Sequence, residues 1–283
     1  MRPVSALTAQ DARGLRVVFT DIDGTITDEA GRIPAAVFVA LERLRDAGID
    51  VVPVTGRPAG WCDLIARTWP VRGVVGENGG LAFHRAGSAA KGPDARMIRT
   101  YTQDQATRDA NRSRLTALAA DVLAAVPGTA LASDQPYREF DVAIDFCEDV
   151  ARLPDADIDR IVALLEAGGC TVKVSDIHVN AWFGSFDKAG MCKRFGRDVL
   201  GLDLDGADTR AAAYFGDSPN DAPLFAVFPL AIGVANVRDL ADRIATLPAF
   251  VTDGRGCDGF LEAIDHLLRL RAGPPGDATS PSP

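Results

Sequence analysis

Four groups of polar residues are spaced so that they can do chemistry. Asp21 and Asp23 stand one residue apart at the end of the apolar run Val17-Val18-Phe19-Thr20, with Gly24 and Thr25 after them. Thr55-Gly56-Arg57 closes a second apolar run, Asp187-Lys188 opens a helical stretch, and Gly216-Asp217-Ser218-Pro219-Asn220-Asp221 closes a third run. Two carboxylates so close together repel, so the first group makes sense where a cation sits between them or one of them reacts. Gly24 permits a sharp turn and brings backbone N–H groups close to a ligand. Read alone, Asp21-Ile22-Asp23-Gly24 is as compatible with a self-bonded Asp-Gly turn as with an active site. A calcium loop is excluded, because that motif wants Gly at its sixth position and Glu at its twelfth, where this chain has Ile26 and Arg32.

Elements that place these residues follow from the hydrophobic pattern. Val17–Thr20 is apolar on both faces, as in a strand buried within a parallel sheet, and open α/β sheets bind ligands at the carboxyl ends of such strands. Pro34 opens a helix marked by Val37, Leu41 and Leu44 and ended by Gly48; the strand Ile49–Val54 follows, and strand-helix-strand makes the sheet parallel. A shorter helix spans about 60–69, and Glu77-Asn78-Gly79-Gly80 reads as a hairpin turn between Gly73–Val75 and Leu81–Phe83. Between 84 and 184 the pattern changes: helices marked by Leu115, Leu118, Val122 and by Ile158, Ile161, Leu165 alternate with strands of period two. Phe140, Val142, Ile144 and Phe146 point one way, and Asp141, Ala143 and Asp145 the other, which predicts a sheet packed on helices on one face and wet on the other. Helix, strand, helix, strand and two further helices complete the chain from Asp187 to about 271.

Composition bounds the function. The 283 residues suffice for one large or two medium domains, and 47% hydrophobic with 24% charged residues is ordinary for a globular protein. A formal charge of −9 argues against a nucleic-acid or anionic-membrane surface. No stretch approaches the ~18 apolar residues of a membrane span, and 1–14 lacks the apolar run of a signal peptide, so a cytoplasmic location is expected. The five cysteines have neither disulfide-framework nor zinc-site spacing and are expected to be reduced. The Pro/Gly/Ser-rich residues 272–283 are expected to be disordered.

Taken in order, the four groups resemble the motifs of the haloacid dehalogenase superfamily: Asp-x-Asp-x-Thr, a Thr or Ser after the second strand, a Lys, and Gly-Asp-x-x-x-Asp. The insertion at 84–184 resembles the C2 cap of subclass IIB, whose Glu-Asn-Gly turn is similar to Glu77-Asn78-Gly79. The resemblance implies an α/β fold: a Rossmann-like three-layer core with a parallel sheet (15–83 and 185–271, after an extension at 1–14) plus an inserted α+β cap domain. It implies a phosphatase whose cofactor is Mg²⁺ and whose partner is a small-molecule phosphate ester.

If the strand ends converge, Asp21 is the nucleophile, giving an aspartyl-phosphate, and Asp23 protonates the leaving alkoxide and then deprotonates water. Lys188, Thr55 and backbone amides near Gly24 and Gly56 face the phosphate. The metal is held by Asp21, the Asp23 carbonyl and Asp217. By resemblance, Asp221 supports the metal from behind and Asn220 contacts the phosphate. Arg57, Asn78, Lys173, His178 and Asn180 are candidate substrate contacts, each with a plain reading as a structural or solvated polar residue. Phe183-Gly184-Ser185-Phe186-Asp187-Lys188 looks like the corresponding stretch of phosphomannomutases and sugar-phosphate phosphatases, so a sugar or glycosyl-glycerate phosphate is the expected substrate. A phosphosugar mutase and a non-catalytic sugar-phosphate-binding protein remain as alternatives.

Overall fold

Every residue of Val17-Val18-Phe19-Thr20 is buried, as a strand with neighbours on both edges and helices on both faces requires. The computed structural model describes residues 1–86, 95–175 and 177–273; most of the expected disordered tail lies outside the described residues. The described chain clusters into two units, Met1–Pro53 with the segment from Gly196 onward, and Val54–Phe195. Residues 54–83 and 185–195, placed with the core by the motif reading, cluster with the inserted segment.

In the first unit a six-stranded sheet runs Arg2–Pro3, Phe250–Val251, Leu230–Gly233, Ala212–Gly216, Val17–Thr20, Asp50–Pro53, with every pair parallel. Phe215 pairs with Thr20, so the polar residues that follow both strands leave the sheet at neighbouring points of one edge. The amino-terminal residues join this fold. Arg2–Pro3 forms the outer strand, and Ala9–Gly14 is a short helix started by a capping box in which Thr8 and Asp11 satisfy each other's backbone N–H. Arg271, near the end of the helix Gly256–Ala272, donates to the carbonyls of Ala12 and Leu15 and ties that helix to the amino-terminal one.

Two antiparallel sheets make up the second unit. Gly73–Gly76 and Leu81–Arg85 form the expected hairpin, with Met97–Tyr101, a strand the sequence pattern did not reveal, along its far edge. In its turn Glu77, Asn78 and Gly79 take positive φ of 43°, 54° and 98°, and the Gly80 N–H closes it on the Glu77 carbonyl at 3.0 Å, with Asn78-Gly79 at the centre as the hairpin reading expects. Ala130–Leu131, Val142–Asp145, His178–Trp182 and Thr171–Val174 form the other sheet, in that order. Val142, Ile144, Val179 and Ala181 pack against Leu115, Ala119 and Val122 of the helix Gln105–Ala125 and Ile161 and Leu165 of the helix Asp155–Ala167. That is the helix-packed face the alternation predicts.

The opposite face corrects the prediction. Instead of a wet surface, Asp145, His178 and Asn180 are at most 5% exposed, and Asp141, just before the strand, is 4% exposed. Alternation reports that a face is polar, but polar side chains that find partners can be buried. Asp145 accepts the N–H groups of Cys147, Glu148 and Asp149, and Asn180 donates to Asp141. Lys173, opposite Asn180 on the edge strand, is exposed as expected.

All five cysteine thiols are free. No helix among the described residues is long and apolar enough to cross a membrane.

Candidate active site

Asp21 and Asp217 follow directly on adjacent parallel strands, and the Asp21 N–H donates to the Phe215 carbonyl at 2.8 Å, extending the ladder one residue past the strand end. Both side chains are buried, and one oxygen from each of Asp21, Asp217 and Asp221 falls within 4.8 Å of the others. Asp21 and Asp217 are converged by the sheet, as the sequence predicts; the polar residues around them show how each is held.

Asp217 is held by side chains that the sequence did not single out. Thr25 donates to its Oδ1 at 3.3 Å, and Asn236 Nδ2 donates to its Oδ2 at 2.8 Å while also bonding the Gly24 carbonyl. Asn236 follows the strand Leu230–Gly233, so its position at a strand's carboxyl end was the one available signal. Asp221 has a different job. Its oxygens accept from the Tyr214 hydroxyl and from the N–H groups of Asp217 and Ser218, so it fixes the backbone of the turn that carries Asp217. Asn220 lies in the same turn and accepts from the Ser218 hydroxyl.

Gly24 is required here twice over. Its φ is +75°, and a Cβ would lie 2.4 Å from Asp217 Oδ2. Its own N–H donates to Thr27 Oγ1 at 2.9 Å. Asp23, in the same loop, is half-buried.

The second unit assembles the other predicted residues around the turn at 77–79. Thr55 is buried; its N–H bonds the Val75 carbonyl, its carbonyl accepts from Asn78 N–H at 3.2 Å, and its Oγ1 accepts from Arg57 N–H at 3.0 Å. A hydroxyl that accepts here still has its own proton to donate elsewhere. Gly56 lies against the Asn78 side chain, where a Cβ would sit 3.3 Å from Oδ1. Lys188, first residue of the helix Lys188–Phe195, is 4% exposed, which removes the reading of a solvated surface lysine. Its helix start presses on Gly79, where φ is +98° and a Cβ would lie 2.1 Å from the Asp187 carbonyl oxygen. Thr55, Asn78 and Lys188 are thus arranged around one three-residue turn.

A buried ionic network, absent from the sequence reading, locks this loop. Arg138 donates in a fork to Asp134 (3.0 and 3.1 Å), to Asp141 at 2.9 Å and to the Gly56 carbonyl at 3.1 Å. Burial alone pulls the Arg138 guanidinium down; the Asp141 and Asp134 carboxylates beside it more than reverse that and raise it. Glu77 accepts the N–H groups of Ala59, Glu139, Phe140 and Asp141. Burial, and after it the charge of Asp141, pushes the Glu77 carboxyl up to about 7, against the pull of the Glu139 and Phe140 N–H groups and of Arg138. Glu77 was noted only as part of a recognisable turn. Three of its partners, Glu139, Phe140 and Asp141, lie more than 60 residues away along the chain, where no local pattern reaches.

Arg57 and His178, both predicted substrate contacts, meet at Glu148. Arg57 Nη1 lies 3.9 Å from Oε1 and His178 Nε2 lies 2.8 Å from Oε2. The Arg57 guanidinium also lies over the Trp61 ring, 4.7 Å from its centroid.

Residues 18–91 match the haloacid dehalogenase-like hydrolases. A phosphoglycolate phosphatase of Halorubrum lacusprofundi is 31% identical over 236 residues, covering 80% of this chain and 87% of that protein. The chain belongs to the haloacid dehalogenase-like hydrolase family.

Within the family this hydrolase is a phosphatase. A second relative, the phosphoglycolate phosphatase of Methanoculleus marisnigri, is 29% identical over 255 residues, covering 88% of this chain and 95% of the relative. A solved structure from Thermoplasma acidophilum shares the fold of this hydrolase with a TM-score of 0.67 at 19% identity, covering 90% of the chain and 98% of its counterpart.

Proposed function

We propose that the chain is a magnesium-dependent phosphomonoesterase that works through an aspartyl-phosphate on Asp21, with a small carboxylated ester such as 2-phosphoglycolate as substrate. The observation that carries the reading is the buried convergence of Asp21, Asp217 and Asp221 at the ends of adjacent parallel strands. An all-oxygen donor set of this kind suits a hard divalent cation. Asp21, Asp217 and the Asp23 carbonyl would hold Mg²⁺, with Asp221 supporting them from behind. When bound, the ion neutralises charge on the phosphoryl group.

An Asp21 carboxylate oxygen forms a bond to phosphorus as the ester P–O bond breaks, and Asp23 gives its proton to the departing alkoxide. Asp23 then takes a proton from water, whose oxygen bonds to phosphorus as the Asp21–phosphorus bond breaks, releasing phosphate and restoring Asp21. Thr55, the Gly56 amide, Lys188 and Asn220 supply donors and positive charge to the phosphoryl oxygens.

Two considerations favour a small carboxylated substrate. The relatives covering most of this chain carry the name phosphoglycolate phosphatase. Moreover, Asp141 and Asn180, which an open polar wall would offer to a sugar's hydroxyls, are buried and bonded to each other.

The test is phosphate release from 2-phosphoglycolate, a panel of sugar phosphates and glycosyl-glycerate phosphates, and an aryl phosphate, with Mg²⁺ or EDTA, for the wild type and Asp21→Asn. Metal-dependent release lost in Asp21→Asn is expected, with 2-phosphoglycolate ranking first. Isomerised sugar phosphate without free phosphate would establish a mutase, and ligand binding without turnover a binding protein; either outcome overturns the reading.

A further inference from the structure

Resting on the reading of a small carboxylated substrate, we propose that Arg57 and His178 form the subsite for the substrate's carboxylate, which the Glu148 side chain fills in the structure. The two oxygens of one carboxylate are divided between two donors: Oε1 toward Arg57 and Oε2 toward His178. A substrate carboxylate needs the same division, one cationic fork and one ring N–H.

The receptor side of this contact is built in and the occupant is not. His178 is 3% exposed at the start of a central strand, with its backbone N–H bonded to Ser175 Oγ. Arg57 is fixed by Thr55 Oγ1 at its N–H and by the Trp61 ring at its guanidinium. Glu148 projects from the loop after Val142–Asp145 and its side chain is 31% exposed. Asp145 holds the backbone of that loop through three N–H groups, so the Glu148 side chain can swing out without the loop unfolding.

Glu148 is also an imperfect occupant. It lies 3.9 Å from Arg57, and its 2.8 Å approach to His178 is misaligned, leaving the buried Nε2 without a hydrogen bond. A better-aligned carboxylate would gain both bonds. Burial lowers the pKa of His178 more than Glu148 raises it, so the ring is neutral at neutral pH and carries one N–H. Arg57 then brings positive charge to one oxygen of the Glu148 carboxylate and the ring faces the other.

Position completes the argument. Arg57 is two residues beyond Thr55 and bonded to it, so the groups proposed for the phosphate and for the carboxylate share one loop. In 2-phosphoglycolate one methylene separates the carboxylate from the ester oxygen, which calls for subsites this close together.

The experiment compares 2-phosphoglycolate with its uncharged-end analogue 2-hydroxyethyl phosphate and with an aryl phosphate. The wild type should prefer 2-phosphoglycolate. Arg57→Met should lower kcat/KM for 2-phosphoglycolate by about 10- to 100-fold, mainly through KM, as loss of a charge-assisted bond predicts, and change the aryl phosphate by less than about threefold. Glu148→Gln, on the exposed side of the contact, should lower KM for 2-phosphoglycolate alone, because the internal competitor has lost its charge. Equal losses on both esters in Arg57→Met, or an unchanged or raised KM in Glu148→Gln, overturn the subsite. Metal-dependent turnover by the wild type with no preference between 2-phosphoglycolate and 2-hydroxyethyl phosphate also overturns it, while leaving the phosphatase mechanism standing. No turnover of any ester would sink both.

Discussion

Arg138→Met removes a cation from the most tightly enclosed ionic cluster in the second unit. The guanidinium makes four hydrogen bonds, to Asp134 twice, to Asp141 and to the Gly56 carbonyl, and its side chain and that of Asp141 are 2% and 0% exposed. Methionine fills similar space with no donor, so two buried carboxylates lose their counter-charge. Breaking a buried ion pair from one side costs about 3–5 kcal/mol, a large part of the roughly 5–15 kcal/mol that holds a domain folded. At about 2–4 °C per kcal/mol, the thermal midpoint should fall on the order of 10 °C, read by circular dichroism. The cost comes from stranded charge, so Arg138→Met combined with Asp134→Asn and Asp141→Asn should regain at least half of the loss. A single variant within about 1 kcal/mol of wild type, or a triple variant less stable than the single one, would refute the reasoning.

Three other outcomes are expected. Glu77 has a folded pKa raised to about 7 from 4.5, so its contribution to stability is full below pH 4.5 and is lost as pH rises through 7. At about 1.4 kcal/mol per pH unit this is roughly 3 kcal/mol, visible as a fall in urea midpoint between pH 5 and 8 that Glu77→Gln, having no proton to lose, flattens. Gly24→Ala should cut turnover by at least about 100-fold with the fold retained, measured by phosphate release beside far-UV circular dichroism, since the new methyl strikes Asp217 Oδ2. Asn236→Ala takes one donor from Asp217 and should weaken Mg²⁺ activation about 10-fold or more, read as the Mg²⁺ concentration giving half-maximal rate.

The parts of the molecule that were legible are those written in local pattern. Val17–Thr20 and Ala212–Gly216 are continuous apolar runs ended by aspartates, so their burial and the chemistry at their ends could be read together. The helices with Val37, Leu41, Leu44 and with Ile158, Ile161, Leu165 announce themselves by spacing. Arg2–Pro3, Phe250–Val251 and Ala130–Leu131 are two-residue strands, too short for any period to show. At the site, Asp21 and Asp217 were visible and Asn236, Arg138 and Glu148 were not, because Asn236 reaches Gly24, Arg138 reaches Gly56 and Glu148 reaches Arg57, all far off in sequence. Asp145 and His178 show the limit most directly: alternation gave their face, and only the bonds they make decide whether that face meets water.

The order of strands in the six-stranded sheet has a consequence for how the chain comes into being. Val17–Thr20 lies between Asp50–Pro53 and Ala212–Gly216, so one of its two edges has no partner until about two hundred further residues have been synthesised. The segment Val54–Phe195 forms a compact unit of its own and is complete before that partner leaves the ribosome. During synthesis an apolar strand edge therefore waits, open to mispairing, while a finished domain hangs beside it. Asp21 meets Asp217 only in the last stage of translation, so a chain cut short between Phe195 and Ala212 carries the whole segment Val54–Phe195 and lacks Asp217.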